Sequence, residues 1–142
     1  MSKPDPISIF TYFHTHSEVY LQYLENNKNE KIPQDLQRPH LLILLVVDRE
    51  FGSNQKQIAD KLFITKQSVG VSIAYLIKKK YLIKTKDPVD SRAYLIQLSD
   101  KAWKLIETIK NLFKEQNEVL KNKIGNKNYK RLIQIIKDNS EN

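Results

Sequence analysis

Residues 54–93 read NQKQIADKLFITKQSVGVSIAYLIKKKYLIKTKDPVDSRA, and the punctuation of this stretch decides the fold. Asn54 with Gln57 three residues on is a capping box, in which each side chain satisfies a backbone N–H at a helix start. Ile58, Ala59 and Leu62 give that short helix its inner face. Phe63-Ile64 joins it to a second helix capped by Thr65, whose buried stripe is Val69, Ile73, Leu76 and Ile77. After Lys80 the period changes from helical to alternating. Leu82, Lys84 and Lys86 share one parity, Ala93, Leu95 and Gln97 lie on a second run, and Asp87-Pro88-Val89-Asp90 between them is a turn. Two short helices followed by a β-hairpin with a charged tip form the outline of a winged helix-turn-helix.

The flanks are helical. Ile7 to Asn26 carries Ile9, Phe13, Tyr20 and Leu24 at helical spacing, widened by Phe10, Val19 and Tyr23. Asn26 to Arg38 is a polar loop, and Pro39 suits the first turn of the next helix, where a missing N–H removes no helical bond. That helix holds the apolar run Leu41 to Val47, is expected to be the most buried, and is expected to end at Gly52. The same run taken alone also fits a buried strand; its helical assignment rests on the Gly52 stop and the capped helices after it. Ser99 caps a long helix from Asp100 to about Lys121, with Trp103, Ile106, Ile109, Leu112, Phe113 and Leu120 on its apolar side. Gly125 breaks it, Asn126 caps again, and Tyr129, Leu132, Ile133 and Ile136 mark a last helix. The expected fold is mainly α with a small β wing: one domain over residues 1–142, with a winged lobe at 39–104 between helical segments at 1–38 and 105–142.

Composition narrows the classes. The 142 residues hold 3 Gly and 5 Pro, too little turn material for a sandwich or barrel of many short strands. With no Cys, disulfide scaffolds, thiolate zinc sites and thiol redox sensing are excluded. The longest apolar run, Leu41 to Val47, is far short of the roughly 18 residues of a membrane span. The stretch Met1 to Pro6 lacks an apolar signal core, so a cytoplasmic location is expected, with no membrane partner. Enzyme signatures are missing too: there is no Gly-rich phosphate loop, no Gly-x-Ser-x-Gly and no paired His with a carboxylate at metal spacing. No catalysis, cofactor or metal is expected. His14, His16 and His40 are read as surface or pocket histidines, since no imidazole follows residue 40.

The net charge of +8 is unevenly spread. Residues 54–104 carry 11 basic and 4 acidic side chains, while residues 1–53 carry 5 and 7. A localised basic segment fits either a polyanion partner or a Lys-rich solubility face, and charge alone does not separate the two. The winged outline favours DNA. A helix fits the major groove, and its N-terminal side chains reach base edges there. Thr65, Lys66, Gln67 and Ser68 are the short polar and basic types such an end needs, with Gln67 suited to adenine. Lys78 to Lys80, Lys84, Lys86 and Arg92 are candidate phosphate contacts.

From about Leu36 to Ile106 the chain resembles the MarR family of bacterial transcription regulators. The resemblance rests on Asn54-Gln55-Lys56-Gln57-Ile58-Ala59, on Leu62 to Val69, and on Asp87-Pro88-Val89-Asp90-Ser91-Arg92-Ala93 followed by Leu98-Ser99. It implies a homodimer whose first and last helices interlock and whose recognition helices enter neighbouring major grooves of double-stranded DNA. It implies Arg92 in a minor groove, held by a salt bridge from Asp90. It also implies a ligand pocket between the dimer helices and the DNA lobe, hence a small-molecule effector. The sequence departs from the family at Gly70 and Val71, where Thr or Ser followed by Arg is usual; Val71 can meet only a thymine methyl. Lys80 replaces the usual Gly at the helix end.

The function expected is that of a homodimeric, sequence-specific DNA-binding transcriptional regulator, a repressor relieved by a small molecule. The candidate DNA contacts are Asn54, Thr65, Lys66, Gln67, Ser68, Val71, Lys84, Lys86, Asp90 and Arg92. The aromatic stripe Phe10, Phe13, Tyr20 and Tyr23 is read as a dimer or domain core in preference to a ligand pocket. Two other functions fit the same outline: a winged-helix module that binds protein, and a plasmid replication or partition protein that binds DNA.

Overall fold

The computed structural model describes residues 5–140. Met1 to Pro4, on which part of the expectation about the N-terminal signal falls, lie outside the described residues, as do Glu141 and Asn142. Six helices and one hairpin run in the order α1 (Pro6–Asn26), α2 (Arg38–Val46), α3 (Gln55–Leu62), α4 (Lys66–Lys78), β1 (Leu82–Lys86), β2 (Tyr94–Leu98), α5 (Asp100–Ile124) and α6 (Asn126–Ser140). The mainly helical fold with a two-stranded wing is the one the sequence predicts. No helix among the described residues is long and apolar enough to cross a membrane. The chain divides into two compact units: Glu25–Ile109, and a second made from the segments on either side of it.

The unit Glu25–Ile109 is built on the α2 run. Leu41, Ile43, Leu44 and Val47 are buried, as are Ile58 and Ala59 from α3 and Val69, Ile73 and Leu76 from α4. Leu82 and Ile96 close the core from the hairpin, and Ala102, Leu105, Ile106 and Ile109 from the first part of α5. The hairpin is antiparallel, with Leu82 opposite Leu98, Lys84 opposite Ile96 and Lys86 opposite Tyr94. Because side chains alternate across a strand, Leu82, Lys84, Lys86, Tyr94 and Ile96 share one face. That face is packed at its base and cationic at its outer end. Ser99 caps α5, its Oγ accepting the Ala102 N–H at 3.1 Å. Trp103 is only half-buried, with the Arg49 guanidinium 4.5 Å above its ring.

Three details differ from expectation. Gly52 does not end the second helix: α2 stops at Val46, and Gly52 serves the next turn, at φ +75. The Asp48 carboxylate organises that turn by accepting the N–H groups of Glu50 and Phe51. Asn126 is the first residue of α6 and not its cap; Gly125, at φ +83, makes the break. The polar loop after α1 buries Ile32 and Leu36 completely enough to join the core, held by Asn29 in the left-handed region.

The end of α4 settles the fate of Lys80. The N–H of Lys80 reaches the Ile77 carbonyl at 3.0 Å and that of Tyr81 the Leu76 carbonyl at 2.9 Å, the paired bonds of a Schellman motif. Lys80 therefore adopts φ +65 without being glycine. Replacing Lys80 by Gly should stabilise the fold by about 1 kcal/mol, because the left-handed strain exceeds glycine's entropy cost. Urea unfolding of Lys80→Gly checks this, and an unchanged or lowered midpoint would mean that Lys80 is unstrained.

The second unit contains α1, the rest of α5, and α6. Tyr20 donates to Asn117 Oδ1 at 2.6 Å and packs edge-on against Phe113 at 5.2 Å. Tyr23 donates to Glu115. The N-terminal half of the aromatic stripe stays outside this packing: Phe10 is 71% exposed and Phe13 is exposed, as are the neighbouring Ile7, Ile9 and Tyr12. On α6, Ile133, Ile135 and Ile136 are exposed and no residue is buried.

Candidate nucleic-acid interface

Local sequence fixes the two helices. Asn54 Oδ1 accepts the Gln57 N–H at 2.8 Å while Gln57 Oε1 accepts the Asn54 N–H at 2.9 Å, closing the capping box. Phe63 turns the chain at φ 55, 95% exposed. Thr65 Oγ1 accepts the Ser68 N–H at 3.2 Å and donates to Ser68 Oγ at 2.9 Å. Both hydrogen-bonding roles of the Thr65 hydroxyl are thus occupied in starting α4, whereas Ser68 keeps its own proton to donate.

With Val69, Ile73 and Leu76 buried, the opposite face of α4 is left to solvent. Lys66, Gln67 and Ser68 are exposed at its first turn, and Val71, at 74% exposure, comes one turn after Gln67. Ala74 and Lys78 continue the stripe. The outer face of α4 therefore begins polar and basic and continues small and apolar, a surface with no bulky side chain standing proud of it.

The wing tip is stapled by its own aspartates. Asp87 Oδ1 accepts the Val89 N–H at 2.8 Å, and the Asp87 N–H donates to the Ala93 carbonyl at 3.1 Å. Asp90 Oδ1 accepts the backbone N–H of Arg92 at 3.0 Å. This corrects the expected salt bridge: Asp90 holds the Arg92 backbone, and among the described residues no ion pair joins its carboxylate to the guanidinium. The reason is spacing, since a carboxylate two residues upstream in a tight turn reaches the N–H first. The Arg92 side chain is exposed beside this turn. On the strand face behind it, Lys84 Nζ lies 4.3 Å from the centroid of the Tyr94 ring.

The structure gathers part of the expected set around one cleft. Its volume is about 420 Å³, and Asn54, Lys56, Lys66, Lys84 and Arg92 line it above a floor that includes Ile73 and Ile96. Four cationic side chains and no carboxylate line it. Gln67, Ser68, Val71, Lys86 and Asp90 are not part of the lining; they lie on the exposed helix face and the wing. Lys56 is a member that sequence reasoning misses, although its place one residue after the start of a capped helix beside Asn54 is visible there.

A second group braces α4 from beneath. Tyr75 Oη donates to Asp35 Oδ2 at 2.8 Å, and Lys79 Nζ stands 3.7 Å from the same carboxylate oxygen. His40 stacks on Tyr75 with ring centroids 4.5 Å apart, and its Nδ1 accepts the Gln37 N–H at 2.9 Å at the start of α2. Nδ1 must stay unprotonated for that bond. Burial pushes the His40 imidazole below its ordinary value of 6.5, with Asp35 opposing and Lys28 assisting. A His pKa lowered by folding contributes stability that is present above the unfolded value and lost as pH falls through the folded one. Wild-type stability should therefore decline on acidification below about pH 6.5 more steeply than that of His40→Gln. Urea unfolding from pH 7.5 to 5.0 measures this; parallel curves would remove His40 from the account.

With this geometry in place, comparison with known proteins is informative. A family model described as the MarR family matches residues 34–93, the stretch from the end of the first loop through the wing tip. The HTH-type transcriptional regulator BilQ of Clostridioides difficile (strain CD3) is 24% identical over 98 residues, 67% of this chain. The match spans 66% of that relative, just under two thirds of its length. Among solved structures, a MarR transcriptional regulator from Methanosarcina mazei Go1 is 21% identical and superposes with a TM-score of 0.72, covering 94% of this chain and 92% of the other. The transcriptional repressor CouR, solved bound to a 23-mer DNA duplex, is 20% identical with a TM-score of 0.71, covering 94% and 89%. Identities this low establish a common fold. The likeness extends over the flanking helices, which carry no motif of their own.

Proposed function

We propose, from the premise that this chain belongs to the MarR family of winged helix-turn-helix regulators, that it is a homodimeric, sequence-specific DNA-binding transcriptional repressor. The observation that carries the proposal is the pairing of an unobstructed α4 face with a cation-lined cleft at its edge. A helix of this kind enters a major groove, and the cations beside it meet the phosphates that border the groove. Gln67 and Ser68 read base edges, Val71 meets a thymine methyl, and Lys66, Lys84 and Lys86 meet phosphates. Asn54, whose side-chain oxygen serves the cap, offers its amide N–H to the same backbone. Arg92 enters the minor groove while Asp90 shapes the turn that aims it. Thr65 supports these contacts by fixing the helix start.

Dimerisation is supported by the apolar side chains that α1 and α6 leave in solvent, including Phe10, Phe13, Ile133 and Ile136. Patches of this kind on a single chain mark surfaces that associate. The helical segments at 1–38 and 105–142 are assigned to that association and the lobe at 39–104 to DNA. Relief by a small-molecule effector completes the proposal; a compound that lowers DNA affinity while leaving the dimer intact is its test.

The deciding experiment is a footprint on the DNA upstream of the chain's own gene, with sedimentation of the free protein. Two protected major-groove segments about one helical turn apart, from a stable dimer, are expected. A micromolar monomer that protects no DNA would overturn the proposal and favour the winged module that binds protein.

A further inference from the structure

Gly70 sits in the middle of α4 with ordinary helical backbone, so no turn or left-handed conformation requires it. Glycine in a helix interior is unfavourable relative to alanine. Its use here has a spatial reason. A Cβ built at Gly70 would lie 2.7 Å from Gln55 Nε2, well inside contact distance, and 3.6 Å from Gln55 Cδ. The notch left by the missing methyl is filled by the Gln55 amide. From that seat Gln55 Nε2 donates to the Lys66 carbonyl at 2.8 Å. Gln55 is the first residue of α3 and Lys66 the first of α4, so one side chain ties the two helix starts together. A carbonyl has two lone pairs, so Lys66 can accept this bond in addition to its place in the helix ladder.

The geometry points to Gln55 and Gly70 as a matched pair that positions the first turn of the recognition helix. The inference rests on the proposed DNA reading and adds to it two residues outside the set of expected contacts. Gln55 is a positioning residue: it acts through Lys66, whose neighbours Gln67 and Ser68 are the proposed base readers. The departure at Gly70 is then a substitution of one device for another. The position gives up a side chain of its own and receives that of Gln55.

The test uses the full chain and the variants Gly70→Ala, Gln55→Ala and the double substitution. A methyl at Gly70 displaces only the flexible end of Gln55, so Gly70→Ala should fold with an unchanged or raised melting temperature. Its Gln55 side-chain amide resonance should move toward the solvent-exposed position, a readout that needs no DNA. Affinity for the operator should fall about threefold to tenfold per subunit in either single variant, the value of one hydrogen bond. The double variant should fall no further, because both changes remove the same contact. An unmoved Gln55 resonance in Gly70→Ala would overturn the pairing. A moved resonance with unchanged affinity and base preference, in a protein that binds its operator, would overturn the positioning role. Wild type that binds no DNA would instead sink the reading beneath it, with the resonance still reporting on the pair.

Discussion

Raising the salt concentration from 50 to 200 mM should weaken operator binding by about 10⁴-fold. Lys56, Lys66, Lys84 and Lys86 stand exposed along the cleft, the α4 start and the wing. Two subunits would then neutralise about eight phosphates, for a slope near −7 in log K against log salt. Replacing any one of the four by Ala should make that slope shallower by about 1 for each phosphate contact removed. Lys79 supplies an internal control. It belongs to the same basic run, yet its ammonium lies 3.7 Å from Asp35 and is already engaged. Lys79→Ala should leave the slope nearly untouched. Fluorescence anisotropy on a labelled operator across the salt range measures all of these. A flat response in the wild type would show that the basic lobe does not meet a polyanion, leaving the protein-binding module as the better account.

The elements legible in the sequence are those specified by short-range rules. The Asn54–Gln57 box, the Thr65 cap, the stripe from Val69 to Leu76 and the change of period at Leu82 each involve residues within a few positions. The stretch 54–93 therefore declares its helices and hairpin before any tertiary contact is known. What stays hidden depends on contacts that are distant in sequence or on competition between near neighbours. Asp35 and Tyr75 are 40 residues apart, and nothing local distinguishes that Asp from any loop carboxylate. Gln55 and Lys66 are 11 apart, so that in sequence Gly70 looks like a loss of function instead of a seat. Asp90 points to the Arg92 guanidinium when only the two charges are visible, whereas the group that captures it is a backbone N–H. Gly52 suggests a helix end that lies in fact at Val46, because its left-handed conformation serves a turn equally well.

Base reading and positioning should separate cleanly within this one protein. Gln67 is exposed on the first turn of α4, where an amide can pair with the adenine edge in the major groove. Gln67→Ala should therefore lose about 1–3 kcal/mol of discrimination at one base pair per half-site while other positions keep their preference. Arg92 projects from a wing tip whose backbone is held by Asp87 and Asp90. On the proposed reading that tip meets a minor groove, which offers a degenerate hydrogen-bond pattern but a strong negative potential, greatest where A·T tracts narrow it. Arg92→Ala should weaken every site more evenly, with its largest effect at A·T-rich flanks. Neither side chain belongs to the buried core, so both variants should keep the wild-type melting temperature and sedimentation coefficient. Titration of each protein against the operator and its single-base variants distinguishes the two patterns. Uniform loss of affinity in Gln67→Ala with base preference intact would place α4 outside the major groove. Loss of discrimination at a single base pair in Arg92→Ala would instead make the wing a base-reading element.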